Sequence, residues 1–538
     1  MSISCKHVFI VSVVLVFLNL SVAARSDTPG AKGAPPGSYI AEGDASFEKG
    51  LSLTECIEMG LQNNLGIRSA SYSPRIAGAA VIEAKAEFDM VYSLTYAFID
   101  KDFPSATVLD GAAILRQKSH QVETKLAKKL LTGGSIEFGF YTNHQKSNSI
   151  FASVNPRSDS NFRFSIVQRL LRGFGPEYNR SRIDTARNEA KIEDLRFEKE
   201  VLDVVFQIEK AYWEYVGFVH DLRVRDEAIK TAEQTLANVT KQVEAGKKLE
   251  LERLEAAEDL ENKKLARLIT AKRVDDARDA LVRLIEPYSE GVRWEAKIYV
   301  PGLLGRREVD TDLEKNIKTA LAKRHELLQA ELIIENLGTE ERVAKNEMLP
   351  TFNLAYEVTW HGLDYQTYGS VRDISIDRYV TDQLTAYFEY PLFNRAAKSR
   401  YLKTRYNLDR AMVDIDSLRM DVTLDVRAAV RNVKVTKNAI EVARRSLELA
   451  SRKLAVERKR YDAGHATLRD TLEYEQEKIR AQTLYIRAKI DYEQSVNGLE
   501  RATANTLEKY DIDIERDHVA ARALAASQNR INSNAEKD

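Results

Sequence analysis

Leu53–Ala70 reads LTECIEMGLQNNLGIRSA, and Leu313–Ala330 reads LEKNIKTALAKRHELLQA. The two stretches align without a gap, placing Leu53 on Leu313, Ile57 on Ile317, Leu61 on Leu321 and Ala70 on Ala330. The register continues through Ala84-Lys85 and Ala344-Lys345 to Leu94 and Tyr96 against Leu354 and Tyr356. A register held over that distance marks an internal repeat. Each half follows one plan: a short helix pair, a β region, a very long helix, a sharp turn and a returning helix.

The long helices are expected from about Tyr178 to Glu244 and from about Arg395 to Tyr461. At 1.5 Å per residue each is on the order of 100 Å long, beyond any ordinary globular helix. Val201, Val205, Ile208, Tyr212, Tyr215, Val219 and Leu222 alternate spacings of four and three. So do Val422, Val426, Ala429, Val433, Thr436, Ile440, Ala443, Leu447, Ala450 and Leu454. That 3.5-residue period belongs to knobs-into-holes packing, in a helical tube or in a soluble coiled coil.

The β regions separate those two outcomes. Tyr92, Leu94, Tyr96 and Phe98 alternate with small polar residues, as do Phe162, Phe164 and Ile166. In the second half Phe352, Leu354, Tyr356, Val358 and Trp360 alternate in the same way, as do Leu384, Ala386, Phe388 and Tyr390. Aromatic-rich strands with one polar face fit a barrel with lipid outside and water inside, although a soluble sheet on a core alternates too. Four such strands cannot close a pore alone, and three copies give a twelve-strand barrel over a tube of twelve helical columns. Residues 100 to 160 read as a longer loop region of the first half, with Thr132-Gly133-Gly134 turning between strand-like runs at Gln121–Leu126 and Ser135–Tyr141. The alternation leaves open whether that hairpin joins the barrel or projects from it.

The N-terminus carries Lys6, an apolar run from Val8 to Leu20 and the small residues Ser21-Val22-Ala23-Ala24, the pattern of an export signal over residues 1–24. A Pro- and Gly-rich leader follows to about residue 50. No later run approaches the roughly 18 apolar residues of a membrane helix, so any membrane embedding falls to a β-barrel. The 80 basic and 81 acidic residues nearly cancel, which leaves no global field for nucleic acid. Of the two cysteines, Cys5 lies in the signal, so Cys56 has no disulfide partner and reads as a small packed hydrophobe.

No phosphate-binding Gly-rich loop, His-Glu-x-x-His pair or Gly-x-Ser-x-Gly elbow occurs, so neither catalysis nor a cofactor or metal is expected. His325 and His465 lie near turns and read as lone surface histidines.

The whole plan, from about Leu51 to Tyr510, resembles the TolC family of outer-membrane efflux and secretion ducts. The repeat openings are similar to the family's Leu-x-x-Ala-Ile-x-x-Ala-Leu-x-x-Asn pattern, and Pro391-Leu392-Phe393-Asn394 to its strand-to-helix signature. Gln168-Arg169-Leu170-Leu171-Arg172-Gly173-Phe174-Gly175 resembles the first-half counterpart, with Arg169 where the family usually has Pro. Val243-Glu244-Ala245-Gly246 and Tyr461-Asp462-Ala463-Gly464 are similar to its two hairpin tips, each followed eight residues after the Gly by Leu254 or Leu472.

The resemblance implies a mainly α fold with β, in which three chains share a membrane β-barrel and a long α-helical coiled-coil barrel. Two repeats, 51–290 and 309–510, would flank an equatorial linker at 291–308, with a tail at 511–538; the equatorial belt would draw on Pro287 to Gly305 and that tail. It implies a homotrimer in outer-membrane lipid with a large periplasmic portion. An inner-membrane transporter would feed it through a periplasmic adaptor, in a tripartite efflux or type I secretion system. Ala245, Gly246, Ala463 and Gly464 would form the adaptor-docking tips. Asp470 and Glu473 would line the pore constriction, with Tyr461 and Glu252 in the network that holds the gate shut. Ala466 replaces a basic residue of that network. The alternative is a soluble periplasmic coiled-coil scaffold or adaptor.

Overall fold

The computed structural model describes residues 50–104, 113–150, 152–286, 294–301, 308–376 and 379–510. The export signal, nearly all of the leader, much of the linker and the C-terminal tail lie outside the described residues.

The 260-residue offset of the repeat survives in the element boundaries. Helix α1 (Leu53–Asn63) corresponds to α6 (Leu313–Lys323), and α2 (Leu65–Ala70) and α7 (His325–Asn346) begin at matching positions. The chain bends at Asn64 and at Arg324, each an extended residue that ends one helix and begins the next. In the first repeat α2 passes into a further helix, α3 (Tyr72–Ala86), where the second has the single α7. Strands β1 (Val91–Pro104) and β5 (Thr351–Asp364) then start 260 residues apart.

The sheet departs from the expected four strands. Strands β2 (Ile114–Lys129), β3 (Ser135–Ser147), β4 (Arg157–Arg169) and β6 (Val380–Glu389) join β1 and β5 in one six-stranded sheet, ordered β1-β2-β3-β4-β5-β6. Every neighbouring pair is antiparallel. The segment read as a loop region is thus largely strand, and its hairpin sits inside the sheet. Arg169 does not disturb the strand exit, because it pairs with Asn353 and the next amide, Leu170, donates to the Phe352 carbonyl at 2.8 Å. A short helix α8 (Thr367–Ile374) lies against β4 and β5. Gly362 permits its approach, since a Cβ there would stand 1.8 Å from the Ser370 carbonyl oxygen.

Both long helices leave the sheet from a positive-φ residue. Gly175 (φ 96°) precedes α4 (Pro176–Glu244), with proline in its first turn, and Asn394 (φ 44°) precedes α9 (Arg395–Asp462). The Asn394 side-chain Nδ2 donates to the Met348 carbonyl at 2.8 Å, which fixes the launch angle of α9. The helices hold 69 and 68 residues, hence roughly 100 Å each. Returning helices α5 (Glu250–Ile285) and α10 (Leu468–Ala502) pack along them, and α11 (Thr506–Lys509) ends the described chain.

Burial follows the expected seams only in part. On α4, Val201, Val205, Ile208, Tyr212 and Tyr215 are buried, but the seam then moves to Val216, His220 and Val224, leaving Val219 and Leu222 half-buried. A straight helix drifts against a 3.5-residue repeat, and α4 has α5 on one side and α10 on the other. Cys56 is fully buried, and burial pushes its thiol up to about 12. His325 departs from its surface reading: it is buried, with Nε2 3.1 Å from a Glu198 carboxylate oxygen. Halfway along α4, residues 294–301 cross the helix, where the Tyr212 hydroxyl and His220 Nε2 donate to the carbonyls of Tyr299 and Pro301, both at 3.0 Å.

Candidate functional site at the hairpin tips

One hydrogen-bond scheme closes both hairpins. Ala245 caps α4 and Gly246 takes φ 68°; the Gly246 amide donates to Val243 at 2.9 Å and the Lys247 amide to Gln242 at 2.8 Å. Ala463 caps α9 and Gly464 takes φ 76°; the Gly464 and His465 amides donate to Tyr461 and Arg460 at 2.9 and 2.8 Å. This glycine stop satisfies the last helical carbonyls and reverses the chain. A Cβ at either glycine would meet nothing within 4 Å, so the requirement is one of backbone conformation and leaves the tip surfaces open.

The returning helices begin differently. Helix α10 starts with a capping box, in which the Thr467 hydroxyl accepts the Asp470 amide at 3.2 Å and Asp470 Oδ2 accepts the Thr467 amide at 3.2 Å. The Thr467 hydroxyl also stands 2.6 Å from Oδ2. These bonds, the hydroxyl's first, hold the Asp470 carboxyl below the usual aspartate range. Asp470 therefore has a capping role, legible in the Thr-x-x-Asp spacing of 467–470. Glu473 lies one turn on and is exposed. Helix α5 has no side-chain cap and exposes Leu249, Leu251 and Leu254. The expected equivalence of Leu254 and Leu472 does not extend to packing, for Leu472 lies against Val239, Ala256 and Leu468.

Tyr461 and Glu252 meet, joining the end of the second hairpin's outgoing helix to the start of the first hairpin's return. The Tyr461 hydroxyl donates to Glu252 Oε2 at 3.1 Å. Lys248 Nζ stands 3.2 Å from the same oxygen and 4.2 Å from the centre of the Tyr461 ring. Lys248 thus brings a cation to this network, where Ala466 brings none. Burial, reinforced by the bond to Glu252, pushes the Tyr461 phenol up. For Lys248 burial works the other way, but the bond to Glu252 and the nearby charges outweigh it and leave its ammonium raised. Nothing in the sequence around Lys248 marks it, because its partners lie on other elements or a turn away.

Farther from the tip, Lys263 of α5 is buried between Asp259 Oδ2 at 2.6 Å and Glu475 Oε2 of α10 at 3.1 Å. Arg458 of α9 holds the other Glu475 oxygen at 2.7 Å. Three helices are tied by this cluster, and burial raises the Asp259 carboxyl despite Lys263.

The contacts order the helices α5–α4–α10–α9. Both outer members carry unpartnered apolar stripes. On α9, Val435, Val442, Leu449 and Val456 recur every seven residues and are exposed; on α5, Leu251, Leu254, Leu265 and Leu268 are exposed. The sheet matches this order, with β1 and β6 as its free edges. First-repeat elements thus form one flank and second-repeat elements the other.

The outer membrane efflux protein family profile matches residues 152–285 and 316–505, more than half of the chain. No curated protein sequence matches. Among solved structures, the CmeC outer membrane channel of Campylobacter jejuni is similar at a TM-score of 0.61 and 14% identity, over 90% of this chain and 98% of that one. A membrane protein from Pseudomonas aeruginosa is similar at 0.64 and 14%, over 88% and 99%. The open state of the MtrE outer membrane channel of Neisseria gonorrhoeae is similar at 0.58 and 16%, over 85% and 89%. The duplicated helix–sheet–hairpin plan and the profile match converge: the chain belongs to the outer membrane efflux protein family, as an exit duct in the outer membrane with a large periplasmic helical part.

Proposed function

We propose that three copies close head to tail into a passive duct with no catalytic step, gated at the hairpin tips. The observation that carries this reading is the pair of complementary flanks. The α9 stripe of one copy would pack on the α5 stripe of the next, while β6 would pair with the next β1. Four long helices per chain then give a wall of twelve columns, and neither seam is left open.

The glycine tips, with Ala245 and Ala463 beside them, would be the docking points for a periplasmic adaptor, and the exposed Leu249, off the α5 stripe, would give it an apolar anchor. An inner-membrane transporter acting through that adaptor would supply the energy. Three copies of Asp470 and Glu473 would ring the constriction, where confined carboxylates favour cations. The Tyr461–Glu252–Lys248 contact would hold the two hairpins of each chain together and so keep the entrance narrow.

The test is native mass spectrometry of protein extracted from outer membranes, with planar-bilayer recording of the same sample. Three copies and a cation-preferring pore are expected. A monomer recovered from the soluble periplasm would overturn the reading in favour of the scaffold.

A further inference from the structure

The geometry points to a trimer whose membrane wall has eighteen strands, because the β2–β3 hairpin is itself a lipid-facing part of that wall. This inference rests on the trimeric reading above.

Residues directly opposite on paired strands project to the same face of the sheet. One row runs Tyr92, Leu126, Phe138, Phe164, Val358, and the next runs Leu94, Thr124, Phe140, Phe162, Trp360, Val380. The opposite face runs Ser93, Lys125, Gly139, Arg163, Thr359, Thr381. In these two rows the apolar face therefore crosses β2 and β3 through Leu126, Phe138 and Phe140, with Thr124 its one polar member there, and the polar face crosses beside it. Rings continue it from strand to strand, with Phe138 and Phe164 centred 5.0 Å apart and Phe162 and Trp360 5.7 Å apart. The one carboxylate in these rows, Asp382 beside Val358, accepts the Tyr356 hydroxyl at 2.7 Å. A hairpin standing in water has no need of Leu126, Phe138 and Phe140 in register with the lipid-facing residues of β1 and β4.

In hydrocarbon the outer edges of β1 and β6 cannot stay unpaired, since each orphaned amide or carbonyl costs several kcal/mol. The next copy supplies the missing edge, and three six-stranded sheets close the ring. Its girth suits the tube beneath. Strands about 4.8 Å apart and tilted about 45° put eighteen at roughly 120 Å around and twelve at roughly 80 Å. Twelve helical columns spaced 8–10 Å apart run to roughly 100–120 Å. The duct then opens to the outside without narrowing through the membrane, at the strand number where barrels enclose an aqueous channel.

Two measurements on the full chain decide the matter. The first is cryo-electron microscopy of the unaltered protein in lipid nanodiscs, where eighteen strands around a three-fold axis are expected. A twelve-strand wall with the hairpin outside it would overturn the inference and leave the trimeric duct standing, whereas absence of a three-fold assembly would overturn the duct as well. The second labels single cysteines introduced at Phe138→Cys and Phe140→Cys against Glu123→Cys and Tyr141→Cys, in protein carrying Cys56→Ala. The first pair should resist a membrane-impermeant maleimide at least tenfold more than the second pair. Equal labelling of both pairs would place the hairpin in water and overturn the inference.

Discussion

Replacing Tyr461 by Phe removes one hydroxyl from the link between the hairpins and keeps the ring over which Lys248 sits 4.2 Å away. The lost bond runs 3.1 Å to a carboxylate oxygen of Glu252. Such charge-assisted bonds contribute about 1.5–3 kcal/mol when shielded. Here the Lys248 and Glu252 side chains keep 23% and 20% of their exposure, so water competes and about 1 kcal/mol is the fitting figure. If the three tips of the proposed trimer open together, the losses add to about 3 kcal/mol, roughly a hundredfold in the opening equilibrium at 1.4 kcal/mol per tenfold. Planar-bilayer recording of wild type, Tyr461→Phe, Glu252→Gln and the double variant measures it, as the fraction of time in the higher-conductance state. Both single variants should raise that fraction, and the double variant should add little to Tyr461→Phe. An opening equilibrium within twofold of wild type, or fully additive effects, would refute the lock.

Four other outcomes are expected. Leu354→Arg and Phe388→Arg should impair assembly by roughly 2–4 kcal/mol each near the bilayer midplane, while Asn353→Arg and Thr385→Arg on the polar face should not, as judged by trimer yield in the outer membrane. Gly246→Val or Gly464→Val should cost about 1–2 kcal/mol at a positive-φ position and weaken cross-linking to the adaptor with the trimer intact. Asp470→Asn with Glu473→Gln should lower cation preference and divalent block more than Asp409→Asn with Asp414→Asn; because the folded Asp470 carboxyl lies below its ordinary value of 3.8, its capping contribution is complete above that value and disappears as pH falls through the lower folded one, seen as fraying at the start of α10 by hydrogen exchange. Lys263→Met leaves the half-buried Asp259 without its cation and the buried Glu475 with Arg458 alone, and should cost about 1–3 kcal/mol in thermal unfolding, whereas Lys453→Met, whose bridge to Glu477 is exposed, should leave unfolding nearly unchanged.

The duplication was the most legible feature, because Leu53 and Leu313 each open a helix of the same length and the offset persists to β1 and β5. The glycine tips were legible for a similar reason: one residue type at a helix end dictates a local geometry. The extent of β2 and β3 was not. Arg116, Lys118, His120, Thr124 and Lys128 share the face of β2 that carries Val122 and Leu126, so the strand reads as charged until its partners are known. Long-range pairs were hidden as well. His325 has its partner Glu198 127 residues away, and Lys248 contacts a tyrosine on the other hairpin. Periodicity shows which face of a helix is covered but not by how many neighbours, which is why the seam on α4 shifts after Tyr215.

A copy with β1 and α5 on one flank and β6 and α9 on the other has distinct left and right hands, and this governs the statistics of assembly. In the proposed trimer, two copies share one seam and still expose two flanks, whereas the third forms two seams in a single encounter. Its second contact is made at the high effective concentration of an already tethered partner. Pairs should therefore be scarce beside single chains and closed rings. Damage confined to one flank, such as a disabled β6 edge, opens any ring that includes it. With equal amounts of intact and damaged chains, only about one ring in eight is built wholly from intact copies. A lesion of this kind is dominant, even though the intact protein is still made at half its usual level.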